Sequence, residues 1–126
     1  MMTPSQGRML VVVEDDPSMS KALERILRAG GFSATLFNSA EDALSADEVI
    51  NADCLVLDIQ LPGMSGFDFY RTLLQSGANL PVVFITAHDA PAVRAEAERL
   101  RPGSYLPKPF MGRALVDAVR LALGSP

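Results

Sequence analysis

Three short apolar runs constrain this chain more than any other feature. They are Met9-Leu10-Val11-Val12-Val13, Cys54-Leu55-Val56-Leu57 and Pro81-Val82-Val83-Phe84-Ile85-Thr86, and they carry almost no polar side chain. Runs this short, rich in branched residues and bounded by turn formers, read as strands. A strand that is apolar on both faces has to be covered on both faces, whereas a sheet wetted on one side shows alternation. The segments between the runs supply the covering. Met19, Ala22, Leu23, Ile26 and Leu27 recur at helical spacing, with Lys21, Glu24, Arg25 and Arg28 on the opposite side.

The remaining elements follow the same alternation. Pro17 suits the first turn of the first helix, and Gly30-Gly31 ends it. Residues 32–37 read as the second strand. Ser39-Ala40-Glu41-Asp42 has the form of a capping box and opens a short helix to about Ala46. Ser65 caps a third helix expected to turn Phe67, Tyr70, Leu73 and Leu74 inward. Residues 91–99 form a fourth, thinly apolar helix. Ser104-Tyr105-Leu106 is a short fifth strand, broken by Pro107-Lys108-Pro109. Leu115, Ala118, Val119 and Ala122 line a fifth helix that frays at Gly124-Ser125-Pro126. Strands and helices alternate five times, which places the chain in the α/β class. The expected architecture is a doubly wound five-stranded parallel sheet, order 2-1-3-4-5, with five helices on its two faces, flavodoxin-like.

Totals exclude several functions. A chain of 126 residues suits one domain. A net charge of −4 and a pI near 4.8 offer no basic surface for direct nucleic-acid binding. No apolar run approaches the ~20 residues that span a bilayer. Residues 1–8 lack the order of a secretory signal. A cytoplasmic protein without membrane association is therefore expected. Residues 1–8 are expected to be a flexible leader and residues 9–124 the folded domain, with no output domain in the chain. The single cysteine, Cys54, lies in an apolar run and is read as a core residue.

In a doubly wound sheet the carboxyl ends of the strands share one edge, where ligands bind at the switch point. Strand 1 brings Glu14-Asp15 there, strand 3 Asp58, strand 4 Thr86-Ala87, and strand 5 is followed by Lys108. Three close carboxylates repel one another, and carboxylate and carbonyl oxygens suit a hard cation such as Mg²⁺. A carboxylate beside a metal can act as nucleophile and form an acyl phosphate. Thr86 would then donate a hydrogen bond to the transferred group, and Lys108 would neutralise its charge. Each residue alone has a plainer reading. Glu14-Asp15-Asp16 makes an acidic helix entry, Asp58 a turn former, Thr86 an ordinary strand end and Lys108 a solvated lysine. Matching groups at four strand ends outweigh those readings. His88, the only histidine, reads as an exposed residue on the pocket rim, with a general base or proton carrier as the alternative. Tyr105 reads as half-buried packing.

These residues resemble the receiver domain of two-component response regulators, over nearly the whole chain from about Met9 to Gly124. The resemblance rests on Val13-Glu14-Asp15-Asp16, Leu57-Asp58-Ile59-Gln60-Leu61-Pro62-Gly63-Met64-Ser65-Gly66, Ile85-Thr86-Ala87 and Tyr105-Leu106-Pro107-Lys108-Pro109-Phe110. It implies that Asp58 takes a phosphoryl group from a sensor histidine kinase or a phosphotransfer protein. It implies that Asp15, Asp58 and the backbone carbonyl of Gln60 bind Mg²⁺, with Glu14 acting through water. Thr86, Ala87 and Lys108 would contact the phosphoryl oxygens, and the Lys108-Pro109 bond would be cis. Thr86 and Tyr105 would be a switch pair reporting to the face made by the fourth helix, strand 5 and the fifth helix. That face would meet a downstream protein or a second copy of the chain. Gln60 and His88 would be rim positions that tune dephosphorylation. Two departures stand out: Glu14 occupies a position where many receivers carry Asp, and Leu100-Arg101-Pro102-Gly103-Ser104 replaces their usual Gly-Ala pair.

The same residues allow two other readings. A phosphatase forming a transient aspartyl-phosphate usually carries a second Asp two residues after the nucleophile as acid/base, and Gln60 stands at that position. A binding module that is never phosphorylated would show no Mg²⁺-dependent spectral change. Enzymatic turnover of external substrates is not expected.

Overall fold

Alternate side chains of the apolar runs point to opposite faces of one sheet, as the two-residue period of a strand requires. A computed structural model describes residues 8–124. Its elements run β1 (Met9–Val13), α1 (Pro17–Ala29), β2 (Ser33–Phe37), α2 (Ala40–Leu44), α3 (Asp47–Ile50), β3 (Cys54–Asp58), α4 (Gly66–Gln75), β4 (Val82–Thr86), α5 (Pro91–Leu100), β5 (Tyr105–Pro107) and α6 (Gly112–Ala122). The strands form one sheet in the order β2-β1-β3-β4-β5, every pair parallel. This is the doubly wound, flavodoxin-like arrangement expected from the sequence.

One face carries Val11, Val13, Leu55, Leu57, Val82 and Phe84, packed against Ala43 of α2, Val49 of α3, Phe69, Tyr70 and Leu73 of α4, and Ala97 of α5. The other carries Leu10, Val12, Cys54, Val56, Val83 and Ile85, packed against Leu23 and Leu27 of α1 and Leu115 and Val119 of α6. Each large apolar side chain so buried contributes about 1.5–3 kcal/mol. Cys54 is a core residue as expected, and burial pushes its thiol up to about 12. Two caps form where the sequence placed them: Ser39 accepts from the Asp42 N–H and Ser65 from the Asp68 N–H. Asp16, read only as part of an acidic helix entry, caps α1 ahead of Pro17 and accepts from the Ser18 N–H.

Several expectations need correction. There are six helices among the described residues, not five, because α3 follows α2 as a separate turn. Asp47 and Glu48 occupy its first turn, where the dipole favours them, and Val49 is drawn into the core. The fourth and fifth helices of the sequence reading are therefore α5 and α6. α4 buries Phe69 rather than Leu74, which is exposed, and Phe67 is half-buried. β2 begins at Ser33, not Phe32, whose N–H still bonds to the Leu27 carbonyl. β3 extends through Asp58, β4 starts at Val82, and β5 shifts by one residue to include Pro107, opposite Thr86. Pro107 is tolerated because β5 is an edge strand. The leader expected at 1–8 lies outside the described residues except for Arg8, whose carbonyl accepts from the Ser33 N–H. Among the described residues no helix is long and apolar enough to cross a membrane.

Candidate functional site

Sheet register brings the acids together. Val13 lies opposite Leu57 and Asp58 opposite Ile85, so β1 and β3 deliver Glu14 and Asp58 side by side. On the far side Thr86 pairs with Pro107, and the Lys108 N–H donates to the Thr86 carbonyl at 2.6 Å. That bond aims Lys108 back across β4 toward β3 and β1. Its Nζ lies 3.0 Å from Glu14 Oε1 and 3.5 Å from Asp58 Oδ2. Glu14 and Asp58 are 2% and 5% exposed, so this pairing satisfies charges that burial would otherwise penalise. Glu14 Oε2 accepts from the Asp16 N–H, and Asp58 Oδ1 from the Gln60 N–H, both at 3.1 Å.

The electrostatics follow from this geometry. Burial raises the Glu14 carboxyl above its ordinary value, against the opposing pull of Lys108 and the Asp16 N–H. Burial disfavours the Lys108 ammonium too, but Glu14 and Asp58 outweigh it and hold its pKa above the ordinary lysine value. Asp15 is exposed beside them. Glu14, Asp15 and Asp58 each offer a carboxylate oxygen within 4.8 Å of the others. Three clustered oxygen donors fit a hard divalent cation of the Mg²⁺ type.

The loop after Asp58 is built to keep that carboxylate in place. A Cβ on Gly66 would lie 2.3 Å from the Asp58 carbonyl oxygen, so only glycine lets α4 start this close to β3. Gly63 has φ +74°, a left-handed conformation that glycine adopts without strain. The next residue, Met64, donates its N–H to Glu41 Oε2 of α2 at 2.8 Å. This bond holds the Glu41 carboxyl below its ordinary value.

Thr86 is fully buried at the same edge. Its hydroxyl donates to Gln60 Oε1 at 2.5 Å and accepts from the His88 N–H at 2.9 Å. Gln60, Ala87 and His88 are exposed on the rim. Tyr105 is half-buried, as expected, and its hydroxyl donates to Asp89 Oδ1 at 2.7 Å. Arg94 lies over the Tyr105 ring, 4.7 Å from its centroid. The Lys108–Pro109 peptide bond is cis. Glu14, Asp15, Asp58, Gln60, Thr86, Ala87, His88 and Lys108 thus lie along one edge of the sheet, at or just after the strands' carboxyl ends, and Tyr105, opposite Phe84 at the start of β5, is tied to that edge by its bond to Asp89. Glu41, Asp89 and Arg94 join it without having been anticipated. No local pattern marks them, because each meets its partner only through the tertiary fold.

A family model for the response regulator receiver domain matches residues 10–120. Nodulation protein W of Bradyrhizobium diazoefficiens is 36% identical over 115 residues, covering 91% of this chain and 51% of that protein. The transcriptional regulatory protein FixJ of Azorhizobium caulinodans is 33% identical over 113 residues, covering 90% of this chain and 54% of that protein. The chain thus spans about half the length of these curated relatives. A crystal structure of a response regulator receiver protein from Burkholderia phymatum superposes with a TM-score of 0.79 at 38% identity, covering 94% of this chain and 97% of that one.

Proposed function

The chain belongs to the response regulator receiver domain family, and from that premise we propose that Asp58 is its phosphoryl acceptor. The donor is a histidine kinase or a phosphotransfer protein. Residues 9–124 act as one receiver unit, working in the cytoplasm. The observation that carries this reading is the pairing of buried Asp58 with Lys108 at 3.5 Å, beside the acidic pair Glu14-Asp15.

The chemistry needs little from the protein beyond position and charge. An Asp58 oxygen attacks the phosphorus of a phosphohistidine. The new O–P bond forms as the N–P bond breaks, and the imidazole leaves with the electron pair. Lys108 moves its charge from the carboxylates onto a phosphoryl oxygen. Thr86 turns its hydroxyl from Gln60 to another, and the backbone at Ala87 meets the group as it arrives. Asp15, Asp58 and the Gln60 carbonyl would hold Mg²⁺, with Glu14 acting through water, and the ion when bound would neutralise charge on the transferred group. Gln60 and His88 on the rim govern access of water and so the lifetime of the aspartyl-phosphate. The change at Thr86 is passed with Tyr105 to the face of α5, β5 and α6, which meets a protein target or a second copy.

Incubation with Mg²⁺ and acetyl phosphate, followed by intact-mass measurement, tests the reading. One phosphoryl group is expected on the native chain and none on Asp58→Asn. Phosphorylation of Asp58→Asn to the same extent, or none of the native chain, overturns it.

A further inference from the structure

We infer that Asp89 is a positioning residue that couples the hydroxyl of Thr86 to that of Tyr105. The inference rests on the reading of Asp58 as phosphoryl acceptor and specifies how its state is passed on. The observation behind it is that two consecutive residues hold the two hydroxyls. The His88 N–H donates to Thr86 Oγ1 at 2.9 Å, and Asp89 Oδ1 accepts from the Tyr105 hydroxyl at 2.7 Å. One peptide unit therefore separates the anchor of Thr86 from the anchor of Tyr105.

Both hydroxyls have their single proton already committed, Thr86 to Gln60 and Tyr105 to Asp89. A threonine hydroxyl has a single proton, and here Gln60 Oε1 takes it at 2.5 Å. Donating to a phosphoryl oxygen means leaving Gln60 and turning the oxygen away from the His88 N–H. His88 and Asp89 lie in the exposed loop between β4 and α5, which has little packing to resist a shift. The Tyr105 backbone, by contrast, is fixed in register with Phe84. When the loop moves, the bond that gives way is therefore Tyr105 to Asp89. Arg94 sharpens the choice. Its guanidinium lies 3.8 Å from Asp89 Oδ1 and over the Tyr105 ring, so it fixes both partners of that bond in the resting arrangement.

Coupling of this kind is reciprocal. If release of Thr86 frees Tyr105, then freeing Tyr105 makes Thr86 easier to turn. Asp89→Ala removes the acceptor, and it is expected to speed phosphorylation by acetyl phosphate roughly fivefold or more, the low end of ordinary site-to-site coupling. Asp89→Asn keeps an acceptor oxygen without the charge and is expected to fall between the two. In a Tyr105→Phe background Asp89→Ala is expected to add nothing further. A direct readout of the bond is the ultraviolet titration of Tyr105, assigned by its loss in Tyr105→Phe. Burial and the bond to Asp89 both hold this phenol above its ordinary value, so Asp89→Ala shifts its ionisation to lower pH.

The outcomes separate the two readings. If the native chain is not phosphorylated, the acceptor reading fails and this inference falls with it. If the native chain is phosphorylated but Asp89→Ala and Asp89→Asn react at its rate, the inference alone is overturned. It is also overturned if Asp89→Ala accelerates the reaction equally in Tyr105→Phe, or if Tyr105 titrates unchanged in Asp89→Ala.

Discussion

Glu41 has no part in the acid cluster, yet it fixes the loop that follows Asp58. Its carboxylate accepts the Met64 N–H across 23 residues of sequence, and the space around Gly63 is closed by the same oxygen. That bond depresses the Glu41 pKa below 4.5. A carboxyl depressed on folding contributes stability above its unfolded value and loses that contribution as pH falls through its lower folded value. Glu41→Ala is accordingly expected to lower the urea midpoint at pH 7. The gap to the native chain should narrow as pH drops below 4.5 and close once the native carboxylate is protonated. A gap that persists unchanged after the native carboxylate has been protonated would assign the loss to packing instead. Residues of this kind escape a sequence reading because the acceptor and its donor sit in unrelated local patterns.

Elements differ in how firmly they are anchored. α4 is held by aromatic packing: the rings of Phe67 and Tyr70 meet Phe84 edge-on, at centroid distances of 5.0 and 5.4 Å. Phe84 is fully buried in β4, two residues before Thr86. Phe84→Ala is expected to cost about 3–5 kcal/mol, the usual penalty for removing a large core ring, and equilibrium urea denaturation measures it. α5 is anchored far more thinly. Only Ala97 is buried, and side-chain ion pairs such as Arg71 with Glu96 tie it to α4. The sequence already indicated this weakness, since the 91–99 stretch has few apolar residues. Its period also located α4, but it did not settle which side faced in. Phe69 and Leu74 both fit a helical stripe, and the rotation of α4 against Phe84 chose Phe69.

At the scale of the whole molecule, strand ends distant in sequence meet at one edge. Lys108 reaches Glu14 across 94 residues. Gathering three carboxylates there carries an electrostatic cost that one lysine only partly offsets. A divalent cation that binds the folded chain and not the unfolded one raises stability by mass action. Millimolar Mg²⁺ is therefore expected to raise the melting temperature of the native chain by a few degrees, with little or no rise for Asp15→Asn. An equal rise in both would place the ion elsewhere. The sequence by itself determined the α/β class, the parallel sheet and the identity of Glu14, Asp15, Asp58, Thr86 and Lys108 as strand-end groups. Those follow from local causes: apolar runs too short for helices and apolar on both faces, helical spacing in the segments between them, and turn residues that end each run. Only the tertiary structure decided that α3 stands as a separate helix and that Thr86 gives its proton to Gln60. It also decided that Tyr105 is held by Asp89 and that Glu41 braces the loop after Asp58. Each of these depends on the approach of side chains from different elements, a matter of packing and register that no local period encodes.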